Sequence, residues 1–194
     1  MALISFSKDK HISGTSSQEV VFDAHACTKV EDANTRNGLA SLLAQMDGVQ
    51  CRHFVTDGSW SLFDFLLKLA ETKPIEELYI TTYSMTEMSA RVIGQLVVDK
   101  KILKVFFLMD YKSEMRYPNV HQILRNIGTL EVTKLHAKVM IVKFSDEQYY
   151  TLIGSANWTQ NPRVEAGVLD NNPTTAKQHI QWINKKITDA ANSR

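Results

Sequence analysis

The segment Leu135-His136-Ala137-Lys138-Val139-Met140-Ile141-Val142-Lys143-Phe144, followed after Ser145-Asp146-Glu147-Gln148 by Tyr149-Tyr150-Thr151-Leu152-Ile153-Gly154-Ser155-Ala156-Asn157, decides how the chain is read. Each run is dense in β-branched and aromatic residues, so strands are expected over 135–144 and 149–155. Side chains on a strand alternate faces with period two. His136 and Lys138 therefore share a face, as do Ser155 and Asn157 on the next strand. A third strand is expected over 164–169 and carries Glu165. If these strands are neighbours, an imidazole, an ammonium, a hydroxyl, a carboxamide and a carboxylate converge on one small pocket. That set suits a phosphodiester. An imidazole titrates near neutrality and can act as nucleophile or general acid. Lys138 and Asn157 can hold the charge of a pentavalent transition state. A carboxylate such as Glu165 on the far ring nitrogen can fix the histidine tautomer.

Outward from this segment, helical and strand patterns alternate. Ser61 is placed to cap a helix with an apolar face of Leu62, Phe65, Leu66 and Leu69, and Asp64 completes a capping-box pattern. The helix should end before Pro74. A strand is expected over 78–83, then a helix over 86–100 with Met88, Val92, Leu96 and Val97 inward. The nearly all-apolar run 102–109 reads as a strand buried on both faces. A helix over 116–127, a short strand over 130–133 and a final helix over 174–191, with Ile180, Ile183 and Ile187 on one face, complete the pattern. The fold class is α/β: a mixed β-sheet with helices on both faces. The catalytic domain is expected over 51–194. Residues 1–50 form an N-terminal extension of unclear role, with a strand over 19–24 and a helical run over 38–46; a strand over 49–56 crosses into the catalytic domain.

Composition narrows the function. The chain has 194 residues, of which 22 are Lys or Arg and 21 are Asp or Glu. This near-neutral balance excludes a globally basic nucleic-acid coat. It hides an asymmetry, however. Residues 1–97 hold 8 basic and 12 acidic side chains, whereas 98–194 hold 14 and 9. The half that contains His136 is the basic half, as expected of a phosphate-facing surface. Two cysteines exclude a disulfide scaffold. No apolar run reaches the length of a membrane span, and the first residues lack the features of a signal peptide. The expected location is cytoplasmic, with no stable membrane association.

His-x-Lys followed by Gly-Ser-x-Asn resembles the signature of the phospholipase D superfamily, the HKD motif. The similarity spans about residues 55–190. It implies an αβα sandwich and catalytic roles for His136, Lys138, Ser155, Asn157 and Glu165, with no metal and no cofactor. The family's Asp is replaced by Lys143, at an odd offset from His136 that should turn it away from the pocket. Several nucleic-acid-processing members also lack that Asp, so the departure favours DNA or RNA over lipid. The chain carries one motif copy. By resemblance to small one-copy endonucleases, two subunits would pair their His136 side chains, one forming a phosphohistidine and the other protonating the leaving oxygen. The expected function is a metal-independent nuclease working as a homodimer. A phospholipid-cleaving hydrolase and a catalytically weak nucleic-acid-binding or assembly module are the alternatives.

Three further features need placing. Trp158 is a candidate to stack on a base, with burial in the core as the competing reading. Lys100, Lys101 and Lys104 are candidate phosphate contacts, against solvated positions near a helix end. His25, Cys27, Cys51 and His53 form a near-mirror pair whose one-residue spacing is tighter than structural zinc sites favour.

Overall fold

A computed structural model describes residues 30–32, 39, 43, 46, 48–56, 61–159 and 163–193. Strands β1 (Val30–Asp32), β2 (Cys51–Thr56), β3 (Ile75–Thr82), β4 (Ile102–Asp110), β5 (Thr129–Thr133), β6 (Val139–Phe144), β7 (Tyr149–Gly154) and β8 (Glu165–Asp170) form one mixed sheet in the order β1-β2-β8-β7-β6-β3-β4-β5. Strands β3, β4 and β5 run parallel, while β6 pairs antiparallel with β3, β7 with β6, and β8 with β7 and β2. Helices α1 (Leu62–Thr72), α2 (Glu87–Val98), α3 (Tyr111–Arg116), α4 (Pro118–Ile127) and α5 (Pro173–Asn192) complete the described elements.

Strand alternation divides the core. Leu78 and Ile80 of β3 and Met140, Val142 and Phe144 of β6 face one way, against Phe65, Leu66 and Leu69 of α1, Ile93 of α2 and Leu124 of α4. Tyr79, Val139 and Ile141 face the other way, against Ala176, Ile180, Ile183 and Ile187 of α5. Helices thus lie on both faces, as the pattern predicts. The α1 start is also as predicted. Ser61 accepts from the backbone of Asp64, and the Asp64 carboxylate accepts from the backbone of Ser61.

Several expectations shift. The helix expected over 116–127 is two pieces, α3 and α4, broken at Tyr117 before Pro118. In α2 Leu96 and Val97 pack against the core as expected, but the fully buried positions are Ser89, Ala90 and Ile93, and Met88 is exposed. Thr86 caps this helix through Ser89 and fixes the phase, which turns Met88 outward. Strand β1 joins the sheet from within residues 1–50 by parallel pairing with β2. Leu39 and Leu43 are helical, inside the expected 38–46 run. The expected strand over 19–24 lies outside the described residues. So do His25 and Cys27, while Cys51 and His53 fall on one face of β2 by alternation. No group of three metal-ligating side chains occurs among the described residues. No described helix is long and apolar enough to cross a membrane.

Two core histidines give the fold an acid limit. His121 is buried with Nε2 2.8 Å from the Ser113 hydroxyl, and Nδ1 of His179 accepts from the Trp182 indole at 2.8 Å. Burial lowers the pKa of each imidazole. The unfolded chain therefore binds more protons below about pH 6.5, and stability falls as pH drops through that value. Each residue should contribute up to about 1.4 kcal/mol per pH unit. Denaturant titrations at pH 7.5, 6 and 5 measure this slope, and a flat profile would contradict the burial assigned to both rings.

Candidate active site

The chain runs outward through β3, β4 and β5 and then returns to β6 on the far side of β3. Residues 134–138 make that return. They must pass over the carboxyl ends of β4 and β3, three strand spacings or about 14 Å. Six Cα steps from Thr133 to Val139 reach about 20 Å when extended. The return is therefore a short strap across the end of the sheet, and His136 sits at its middle. Such a crevice, where strand order reverses at the carboxyl ends of parallel strands, is the usual ligand position in open α/β sheets.

His136 and Lys138 are thus not on a strand, contrary to the expectation over 135–144: β6 begins at Val139. The stretch is extended, but its polar backbone groups pair with side chains beneath it. Asp110, the last residue of β4, accepts from the Leu135 amide at 3.0 Å and from the Lys112 amide at 3.0 Å. Thr81 of β3 accepts from the Val139 amide at 2.9 Å, and its hydroxyl lies 3.2 Å from the Ala137 carbonyl. Leu135 and Ala137 pack down onto the α5-side core, which leaves His136 exposed between them. Asp110 and Thr81 were missed by sequence reasoning. The available signal was a carboxylate closing the otherwise apolar end of β4.

Lys138 is 7% exposed. Its ammonium donates to the His136 carbonyl at 2.9 Å and lies 3.3 Å from Nδ1 of the His136 ring. Burial lowers the Lys138 pKa, and the nearby Glu165 carboxylate acts in the opposite direction. Glu165 opens β8 and accepts from the Ser155 hydroxyl, just past β7. The Ser155 hydroxyl also accepts from the Ala166 amide at 3.1 Å. The partner of His136 Nδ1 is therefore Lys138, not Glu165. Glu165 instead ties the end of β7 to the start of β8 and offsets the Lys138 charge.

Asn157 lies in the turn after β7. The Thr82 hydroxyl, 2.9 Å from the Ser84 carbonyl and 3.3 Å from Asn157 Oδ1, holds this carboxamide by its oxygen. The amide nitrogen has no protein acceptor among the described residues, so it can donate to a ligand. The next residue anchors the turn. Trp158 bridges Met85, and its backbone bonds to Ser84 and Thr86. At 1% exposure the indole belongs to the core and offers no face to a base, which corrects the stacking expectation.

Two lysine readings also resolve. Lys143 sits at the far end of β6, on the Val139–Ile141 face, within 3.4 Å of Glu76, 3.6 Å of Glu147 and 4.0 Å of Glu77. The residue at the family's Asp position is thus remote from His136. Lys100, Lys101 and Lys104 lie at the amino end of β4, opposite the strap, and Lys104 faces Glu77. They are not phosphate contacts of this crevice.

Removing the strap's anchor should be costly. Asp110→Ala leaves the Leu135 and Lys112 amides without their acceptor, a loss of about 1–3 kcal/mol in stability. Guanidinium unfolding of the variant measures it, and an unchanged midpoint would contradict the strap's attachment.

A comparison with protein-family models finds no match, and neither does a comparison with curated protein sequences. Solved structures do match. NucT from Helicobacter pylori superposes with a TM-score of 0.54 at 21% identity, over 74% of this chain and 98% of that one. Nuc from Salmonella typhimurium, a phospholipase D family member, gives 0.52 at 17% identity over 75% and 94%. Polyphosphate kinase from Porphyromonas gingivalis gives 0.55 at 12% identity, but the match covers only 26% of that chain. The sheet, its strand-order reversal and the helices on its two faces together give this chain the fold of the phospholipase-D-like proteins.

Proposed function

We propose that the chain is a member of the phospholipase D superfamily and a metal-independent phosphodiesterase, acting on DNA or RNA through His136. The observation that carries the reading is a buried ammonium, Lys138, set 3.3 Å from the ring of an exposed imidazole. Asn157 and the Ser155–Glu165 pair stand at the same end of the sheet. Burial gives Lys138 a strong field at the mouth of the crevice, where a phosphodiester brings the compensating negative charge.

One chain supplies one imidazole, whereas an in-line displacement needs a nucleophile and a proton donor on opposite sides of phosphorus. The functional unit is therefore a homodimer with two His136 side chains facing each other. His136 of one subunit attacks phosphorus through Nε2, and the bond to the leaving oxygen breaks. His136 of the partner subunit gives that oxygen its Nε2 proton. The same ring then takes a proton from water, whose oxygen displaces the first histidine from phosphorus. The donor copy acts as the imidazolium, protonated on both nitrogens, so that giving up its Nε2 proton leaves the neutral ring that then takes a proton from water. In both copies a phosphate oxygen draws the Lys138 ammonium away from Nδ1 and leaves that nitrogen free to carry a proton.

Nucleic acid is favoured over lipid by the basic second half of the chain and by the lysine at position 143. The test is hydrolysis of a panel of single- and double-stranded DNA and RNA in EDTA, with phosphatidylcholine vesicles as the lipid arm. Cleavage of nucleic acid in EDTA is the expected result. Activity abolished by EDTA, or confined to vesicles, would overturn the proposal.

A further inference from the structure

A groove opens beside His136 across the carboxyl ends of β3, β4 and β5. It has a volume of about 430 Å³ and is lined by Tyr83, Asp110, Tyr111, Lys112, Lys134 and His136, with Leu135 at its floor. That volume lies in the range of small-ligand pockets, about 300–1,000 Å³. The Tyr83 ring is centred 5.9 Å from the His136 ring, and Tyr111 is 47% exposed despite its size. Lys112 holds its ammonium 5.9 Å from the centre of the Tyr111 ring.

The charge in the groove is not taken up by ion pairs. Lys68, Lys73, Lys177 and Lys185 each face a carboxylate within ion-pair distance. Lys112 and Lys134 are exposed, and neither has such a partner among the described residues. The acid within the groove, Asp110, is buried, and its two oxygens are taken by the Leu135 and Lys112 amides. The groove thus offers two aromatic faces and two uncommitted ammonium groups directly beside the imidazole.

We propose that this groove is the subsite for the nucleotide next to the scissile phosphate. Its base lies against Tyr83 and Tyr111, and its phosphate meets Lys112 and Lys134. Aromatic rings take bases by stacking, with little regard to sequence, and only a base freed from its own stack can present its face. The strand that enters is therefore single-stranded at this position. The inference rests on His136 acting at a nucleic-acid phosphodiester, and it adds what that strand must be.

The test separates binding from chemistry. Binding is read as fluorescence anisotropy of a labelled single-stranded oligothymidylate in EDTA, using His136→Ala protein so that the strand stays intact. Chemistry is read as turnover of bis(4-nitrophenyl) phosphate, which has no flanking nucleotide, by protein with His136 present. Tyr111→Ala should weaken oligonucleotide binding about tenfold, within the range for loss of one stacked base. Lys112→Ala with Lys134→Ala should weaken it at least as much. The same pair should lower the slope of log affinity against log salt by about 0.7, the value for the one single-strand phosphate that both lysines meet. Turnover of the small diester should stay within about twofold for every variant, since these side chains lie on the surface.

Unchanged affinity in the variants would overturn the proposal, as would equal affinity for a blunt duplex of matching length. A parallel fall in small-diester turnover would also overturn it, by making these residues supports of the strap. If the unsubstituted protein hydrolyses no diester at all, the nuclease reading fails, while the affinities and the salt slope still decide the groove.

Discussion

His136→Ala should reduce phosphodiester cleavage by on the order of 10⁴-fold while leaving the protein folded. The same side chain serves as nucleophile in one subunit and proton donor in the other. Acid–base assistance alone is worth about 10²–10⁴, and the covalent route is lost as well. The fold should not register the change. His136 is exposed, its ring approaches Lys138 and Tyr83 among the described residues, and the strap is held by the backbone through Asp110 and Thr81. Unfolding stability should stay within about 0.5 kcal/mol of the unsubstituted protein. Initial-rate assays beside denaturant curves give both numbers. Retained cleavage with an intact fold would remove His136 from the chemistry.

Lys138→Met should lower kcat by about 10²–10³, the cost of losing one preorganised donor to the transition state. Stability should be unchanged or raised, because methionine fills the place of the buried stem without a charge to desolvate. The same burial predicts a pH signature. The lysine pKa is lowered by burial, with Glu165 opposing, so the ammonium is lost at a lower pH than in an ordinary lysine. The charged form is the active one. The alkaline limb of the kcat/KM profile, which reports the free enzyme, should accordingly fall below the usual lysine value of about 10.4. The sign for folding is opposite. A lysine whose pKa is lower in the folded chain favours folding more as pH rises through that pKa. A Lys138→Met enzyme with full kcat would show that this ammonium does not meet the reacting phosphate.

How much of this was legible in the sequence differs from residue to residue. The Ser61 capping box, the apolar stripe of α1 and the strand runs of β4, β6 and β7 are local patterns, and they were readable as such. Gly-Ser-x-Asn was readable as a motif, but Ser155 and Asn157 were expected on a strand face, whereas β7 ends at Gly154 and both lie in the turn after it. The strap at 134–138 was not. Its residues look like the start of a strand, since Leu135 and Ala137 are apolar and alternate with His136 and Lys138. What takes them off the sheet is topology: the chain leaves β5 and must rejoin at β6 with β4 and β3 in between. The groups that satisfy its backbone, Asp110 and Thr81, are 25 and 58 residues away from the amides they accept. Likewise the burial of Trp158 follows from its pairing with Met85 across the β3–α2 connection, which no local pattern announces. The outward turn of Met88 and the β1 strand escaped the reading for related reasons, one set by a cap and the other by pairing.

The proposed reaction is two successive in-line displacements at phosphorus, the first by His136. Its stereochemical course is the most direct measurement. An oligonucleotide with one phosphorothioate linkage of defined configuration, cleaved in ¹⁸O-labelled water, reports whether phosphorus was displaced once or twice. Two displacements give net retention of configuration, which is the expected result. Net inversion would mean that water attacks the phosphodiester directly, and would contradict a phosphohistidine at His136.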